Sequence, residues 1–70
     1  MKNLGQLIKK RRKELLLTQQ ELADLAQVSE RLVRQLEADK ATVRLDKLED
    51  VLAVVGLELA VIDYVPEALR

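Results

Sequence analysis

The chain has no cysteine and no histidine, and a single tyrosine is the sole aromatic among its 70 residues. Without Cys and His there are no disulfides, no ordinary zinc ligands, no thiol nucleophile and no imidazole base. No catalytic residues, no metal and no cofactor are therefore expected. One proline and two glycines leave few punctuation marks for loops. No apolar run approaches the roughly 20 residues of a membrane span, and Met1-Lys2-Asn3-Leu4 does not open a signal peptide. A cytoplasmic protein without membrane association is the expectation.

What remains is an ordinary 49% apolar fraction, made almost wholly of Leu, Val, Ala and Ile. A chain of this length forms one domain at most, and it buries only about 60% of the surface its unfolded form exposes. Chains so small usually need a disulfide, a metal or a partner chain. A partner chain is the option left. The formal net charge of zero conceals a segregation. Residues 1–44 hold ten Lys/Arg and six Asp/Glu, and residues 45–70 hold two and six. One end suits a polyanion; the other faces something else.

Leu4, Leu7, Ile8 and Leu15 stand at helical spacing from Asn3 to Leu16, with Lys9-Lys10-Arg11-Arg12-Lys13 making a basic outer face. Those lysines and Arg11 are read as a solvated face, with phosphate or an acidic partner left open. Thr18 followed by Glu21 is a capping box, so a second helix starts at Gln19. Its apolar face is Leu22, Ala23, Leu25 and Ala26. Ser29 reads as the next N-cap, of a helix from about Glu30 to Ala38 with Val33 and Leu36 inward. Leu45, Leu48, Val51, Leu52 and Val55 predict a fourth helix closed by Gly56. The acids Asp46, Glu49 and Asp50 fit its start, where the macrodipole favours them, better than a metal site.

Past Gly56 the period changes. Leu57, Leu59 and Val61 alternate on one face, in a stretch rich in β-formers. A lone strand after four helices has no partner in its own chain, so its backbone is expected to pair with a second copy. The expected organisation is a DNA-binding domain over 1–56, a dimerisation strand over 57–63 and a tail over 64–70. Tyr64 is read as a packing residue at an interface.

Residues 19–38 carry the functional signal. Two short helices meet across a three-residue turn, with small Ala23 where crossing helices approach most closely. This is helix-turn-helix spacing, with 30–38 as the recognition helix that enters the major groove. A similar corner occurs in other all-helical proteins, so spacing alone leaves DNA binding open. The sequence also resembles the phage-repressor-like (XRE/Cro-type) helix-turn-helix regulators over nearly its whole length. The carriers are Arg12, Leu17-Thr18-Gln19-Gln20-Glu21-Leu22-Ala23, Val28-Ser29, Val33, Leu36-Glu37, Lys40, Leu45-Asp46-Lys47-Leu48 and Val54-Val55-Gly56-Leu57-Glu58-Leu59. Within that family it is similar to the small HipB-like antitoxins that partner HipA-type kinases. The family usually has Gly where this chain has Leu16, Gln27 and Asp39.

The resemblance implies an all-α, four- to five-helix repressor-like domain whose C-terminal strand pairs across a homodimer. It implies a repressor that binds a palindromic operator on double-stranded DNA, with a HipA-like toxin kinase as a further partner. On the recognition helix, Ser29, Glu30, Arg31, Arg34 and Gln35 are the expected base contacts. Arg suits guanine O6 and N7, Gln suits adenine, and Glu accepts from cytosine N4. Glu30 and Arg34 also fit a plain i,i+4 pair on a solvated face. Gln19, at a helix N-terminus, and Lys40, Thr42 and Arg44 are the expected phosphate contacts. By the resemblance Arg12 and Glu37 form a structural ion pair between the first and third helices. The alternatives are a solitary regulator without a toxin, or a protein-interaction module on the same fold.

Overall fold

The structure is a computed structural model, and it describes residues 3–40, 42–63, 65, 66 and 68. Among the described residues four helices follow one another: α1 (Leu4–Glu14), α2 (Gln19–Ala26), α3 (Glu30–Glu37) and α4 (Leu45–Val54). α2 packs on both α3 and α4, and α1 packs on α3. Ile8, Leu22, Ala23, Val33, Val51, Leu52 and Val55 form the dry centre, edged by Ala26, Leu36 and Leu48. Ala23 is fully buried, as the close crossing of α2 and α3 requires.

The helix starts are fixed by side chains. Thr18 Oγ1 accepts the Glu21 N–H at 3.0 Å while Glu21 Oε1 accepts the Thr18 N–H at 2.9 Å, which completes the capping box. Ser29 Oγ accepts the Leu32 N–H at 3.1 Å. α1 starts differently. Asn3 gives it no side-chain cap, and its first turn contains no acid. Asp39, from the loop after α3, supplies both: its Oδ1 accepts the Gly5 N–H at 2.9 Å. Gly5 is buried there, and a Cβ on it would lie 2.4 Å from the Leu36 carbonyl oxygen and 2.7 Å from that of Glu37. Only glycine fits this approach.

All four helices end in the same way. In α1, α3 and α4 the residue past the C-cap turns left-handed, in α2 the C-cap itself does, and in all four two backbone bonds close over the last carbonyls. Leu17 and Leu16 donate to Arg12 and Lys13, Val28 and Gln27 to Ala23 and Asp24, Lys40 and Asp39 to Gln35 and Leu36, and Leu57 and Gly56 to Leu52 and Ala53. The left-handed residues are Leu16 (φ 59), Gln27 (φ 58), Asp39 (φ 55) and Gly56 (φ 77). One of the four is a glycine, so three ends carry the steric cost of a Cβ.

The stretch after Gly56 departs from the strand expectation. Residues 57–63 form no strand in the single chain. The physical reason is that a strand exists only through a backbone partner, and among the described residues this chain offers none. Leu57 packs against the core, Leu59 is 38% exposed and Val61 fully exposed. Tyr64 and most of the expected tail lie outside the described residues.

Candidate nucleic-acid interface

The outer face of α3 carries Glu30, Arg31, Arg34 and Gln35, opposite the buried Val33 and Leu36. Helical geometry separates the two sets, since 30, 31, 34 and 35 fall on one side of a 3.6-residue turn. Arg31 and Arg34 are exposed, and Glu30 and Gln35 are half-buried. Arg34 Nη1 donates to Glu30 Oε1 at 2.6 Å, so the plain i,i+4 pair forms in the free chain. A base contact by Arg34 would therefore exchange one hydrogen-bond partner for another. Ser29, with its oxygen engaged as a cap, keeps its hydroxyl proton to donate.

Behind this helix sits a polar cluster that fixes its end. Arg12 is 8% exposed and grips Glu37 with two parallel bonds, Nε to Oε2 at 2.6 Å and Nη2 to Oε1 at 3.0 Å. Its Nη1 donates to the Leu17 carbonyl at 2.8 Å. Hydrogen bonding to Glu37 raises the Arg12 guanidinium above its ordinary pKa, against the opposing effect of burial. Gln19 Nε2 also donates to Glu37 Oε1, at 3.1 Å. One carboxylate thus ties α1, the entry to α2 and the end of α3 together. Among the described residues no buried side-chain polar atom lacks a partner.

Gln19 carries a second role beside its expected one. Its side chain is anchored on Glu37, while the first-turn amides of α2 at Gln19 and Gln20 have no partner within the helix. Hydrogen bonds with Thr18, the backbone one first and then the hydroxyl, hold the Glu21 carboxyl below its ordinary pKa. On the other side of α3, Lys40, Thr42 and Arg44 are all exposed. Arg44 Nη2 donates to Asp46 Oδ2 at 2.7 Å in an exposed pair. The structure thus gathers Gln19, the α3 face and Lys40 around Glu37 and the α3 C-terminus. Arg44 stands further on, at the start of α4.

Three contacts escaped the sequence reading. Gly5 meets α3 backbone, and nothing in its flanking residues announces that. The basic run of α1 reads as a solvated face, yet Arg11 Nε donates to the Val55 carbonyl at 3.0 Å and its Nη1 pairs with Glu14 at 3.3 Å. It closes the end of α4. Its position beside the apolar stripe of α1 was the available signal. The third is the Gln19–Glu37 bond. Elsewhere, a groove of about 320 Å³ lies between α4 and the following segment, lined by Glu49, Ala53, Leu57, Glu58 and Leu59. Among the described residues there is no cluster of three metal-ligating side chains and no helix long and apolar enough to cross a membrane.

Comparison with known proteins agrees with this architecture. No curated protein matches the chain. Among solved structures it is similar to a chain of the SinR protein/SinI protein complex, with a TM-score of 0.71 and 34% sequence identity. That match covers 79% of this chain and 54% of the other, so this chain spans about half the length of its solved relative. The helix-turn-helix family matches residues 8–62, which include all of α2, α3 and α4. The chain belongs to the phage-repressor-like helix-turn-helix family, whose fold is that of DNA-binding transcriptional regulators.

Proposed function

We propose that this chain is a homodimeric repressor that reads a palindromic operator with α3 and, as an antitoxin, also binds a HipA-like toxin kinase. The observation that carries the DNA reading is the outer face of α3. Arg31 and Arg34 stand exposed on a helix whose far end is locked by the Arg12–Glu37 pair. Ser29, Glu30 and Gln35 complete the base-reading set; Gln19, Lys40, Thr42 and Arg44 hold phosphate on either side. A rigid support matters because base contacts discriminate only when the side chains arrive in register. An interaction module that had abandoned DNA would have no need of two unburied arginines on this helix.

Dimerisation is supported by what α4 and its sequel leave open. Leu59 lines the groove with Glu49 and Ala53, and Leu59, Val61 and Ile62 are all exposed. A second copy's residues 57–63 would satisfy the backbone and bury Leu57, Leu59 and Val61 at once. It would also place two recognition helices about 34 Å apart, one DNA turn. The kinase partner rests on the resemblance to antitoxins. The similar SinR/SinI structure is itself a complex of two proteins.

Selection of binding sites from a random duplex pool, followed by titration of Arg31→Ala and Arg34→Ala on the selected site, tests the DNA reading. Each variant is expected to lose roughly 1–3 kcal/mol of operator affinity and to relax base preference. Wild-type affinity in both would remove α3 from the role of reader. Co-purification with the product of the neighbouring gene tests the antitoxin role, and a neighbour that is no kinase would favour the solitary regulator.

A further inference from the structure

We infer that Lys9 and Lys13 of α1 bind the DNA phosphate backbone beside the α3 interface, whereas Lys10 and Arg11 of the same basic run do not. The inference rests on the DNA reading proposed above and extends it to a helix outside the helix-turn-helix.

Three contacts fix how α1 is rotated. On the α3 side, the Gly5 N–H meets Asp39 at 2.9 Å, and Arg12 meets Glu37 at 2.6 Å. On the α4 side, Arg11 Nε meets the Val55 carbonyl at 3.0 Å. Successive residues turn by about 100°, so Lys9 lies about 40° and Lys13 about 80° round from Gly5, on the side of α1 away from α4, while Lys10 lies about 140° round. Lys10 points away from both neighbours. Arg11 is committed to α4, where its charge is shared with Glu14 and a carbonyl.

Charge compensation separates Arg11 from the lysines, Lys10 included, so rotation alone sets Lys10 apart. Every acid near that side is engaged: Glu37 by Arg12 and Gln19, Asp39 by the Gly5 N–H, and Glu14 by Arg11. Lys9 and Lys13 are exposed, and neither has an ion-pair partner among the described residues. Their charge is therefore open to an outside anion. That side is also continuous with the proposed phosphate contacts. Asp39, which caps α1, immediately precedes Lys40, and Gln19 joins Glu37 between Arg12 and the start of α2. Lys9 and Lys13 are separated by about 6 Å along the helix axis, a row rather than a point. Complementing the helix dipole accounts for Lys13 in the last turn but not for Lys9 in the middle. A polyanion running along α1 accounts for both.

The test is the salt dependence of binding of the full chain to a mixed-sequence 24-base-pair DNA duplex, followed by fluorescence anisotropy between 50 and 200 mM KCl. Each phosphate contact contributes about 0.9 to the slope of log affinity against log salt. Lys9→Gln/Lys13→Gln is expected to bind more weakly at 50 mM, and the wild-type advantage should shrink by about tenfold by 200 mM. Lys10→Gln should keep the wild-type slope. A double variant with an unchanged slope would overturn the inference and leave the lysines to an acidic protein partner. Equal flattening by Lys10→Gln and Lys9→Gln would overturn it too, in favour of net charge without placement. A wild-type chain that fails to bind the duplex at any salt would overturn the DNA reading itself, an outcome distinct from both.

Discussion

The body of residues 3–56 and the segment 57–63 solve the problem of small size in opposite ways. The body closes on itself. Its core is dry, its one buried cation has a bidentate partner, and each helix end folds back on its own carbonyls. The following segment presents exposed apolar side chains, Val61 at 100% among them, and its backbone from 58 to 63 has no backbone partner among the described residues. Charge divides nearly as the packing does, basic before residue 45 and acidic after it. The contrast teaches that a 70-residue chain can finish one hydrophobic core alone and still leave a second, smaller set of apolar side chains in solvent, the set that the proposed dimer would bury.

The sharpest way to break the body is at Glu37. Glu37→Ala strands Arg12 in a dry site and releases Gln19 together with the end of α3. Losing one member of a buried pair is expected to cost about 3–5 kcal/mol, read as a shift of the urea midpoint. Replacing Arg12 and Glu37 together by apolar residues of similar volume should recover much of that loss. If the single variant melts like the wild type, the pair is not what joins α1 to α3.

Truncation after Gly56 probes the other side of the comparison. The body should stay folded, because among the described residues the buried core ends at Val55 and Leu57 alone of the later segment packs against it. What should vanish is the dependence of the melting temperature on protein concentration. A dimer at about 100 times its dissociation constant gains roughly 2.7 kcal/mol by mass action. Sedimentation of the truncated chain should show a monomer. A dimer that survives without residues 57–70 would move the interface to α4 alone.

Gly5→Ala is expected to cost roughly 1–3 kcal/mol in a thermal melt, since the added methyl meets the backbone of α3 instead of a side chain that can move aside. This residue also shows where reading the sequence ends. Thr18, Glu21, Ser29 and Gly56 carry their meaning locally, so the boundaries of α2 and α3 and the end of α4 were legible within a residue. The apolar period selected the core face and, by elimination, the exposed arginines of α3. Gly5, Arg11 and the amide of Gln19 act between elements far apart in the chain, and periodicity tells which face is buried but not what it meets. The segment 57–63 carries a β-pattern in its sequence yet forms no strand, because alternation states a preference while a strand needs a second backbone, and none pairs with it among the described residues.

The smallest effects concern the helix ends, and they separate two kinds of left-handed residue. Leu16 is 88% exposed and Gln27 is exposed as well, so neither side chain offsets its backbone cost by packing. Leu16→Gly and Gln27→Gly should each stabilise the body by about 1 kcal/mol, because the αL penalty outweighs the extra entropy glycine loses on folding. Asp39 has the same φ but a different balance. Short polar side chains tolerate this conformation better, and its carboxylate caps α1 through the Gly5 N–H. Asp39→Gly should therefore destabilise where the other two stabilise. The three melting curves, compared at one protein concentration, decide this. Stabilisation by all three would mean that the cap on α1 contributes less than the strain at Asp39, and that α1 is held to α3 by Arg12 and Glu37 with little help from its own N-terminus.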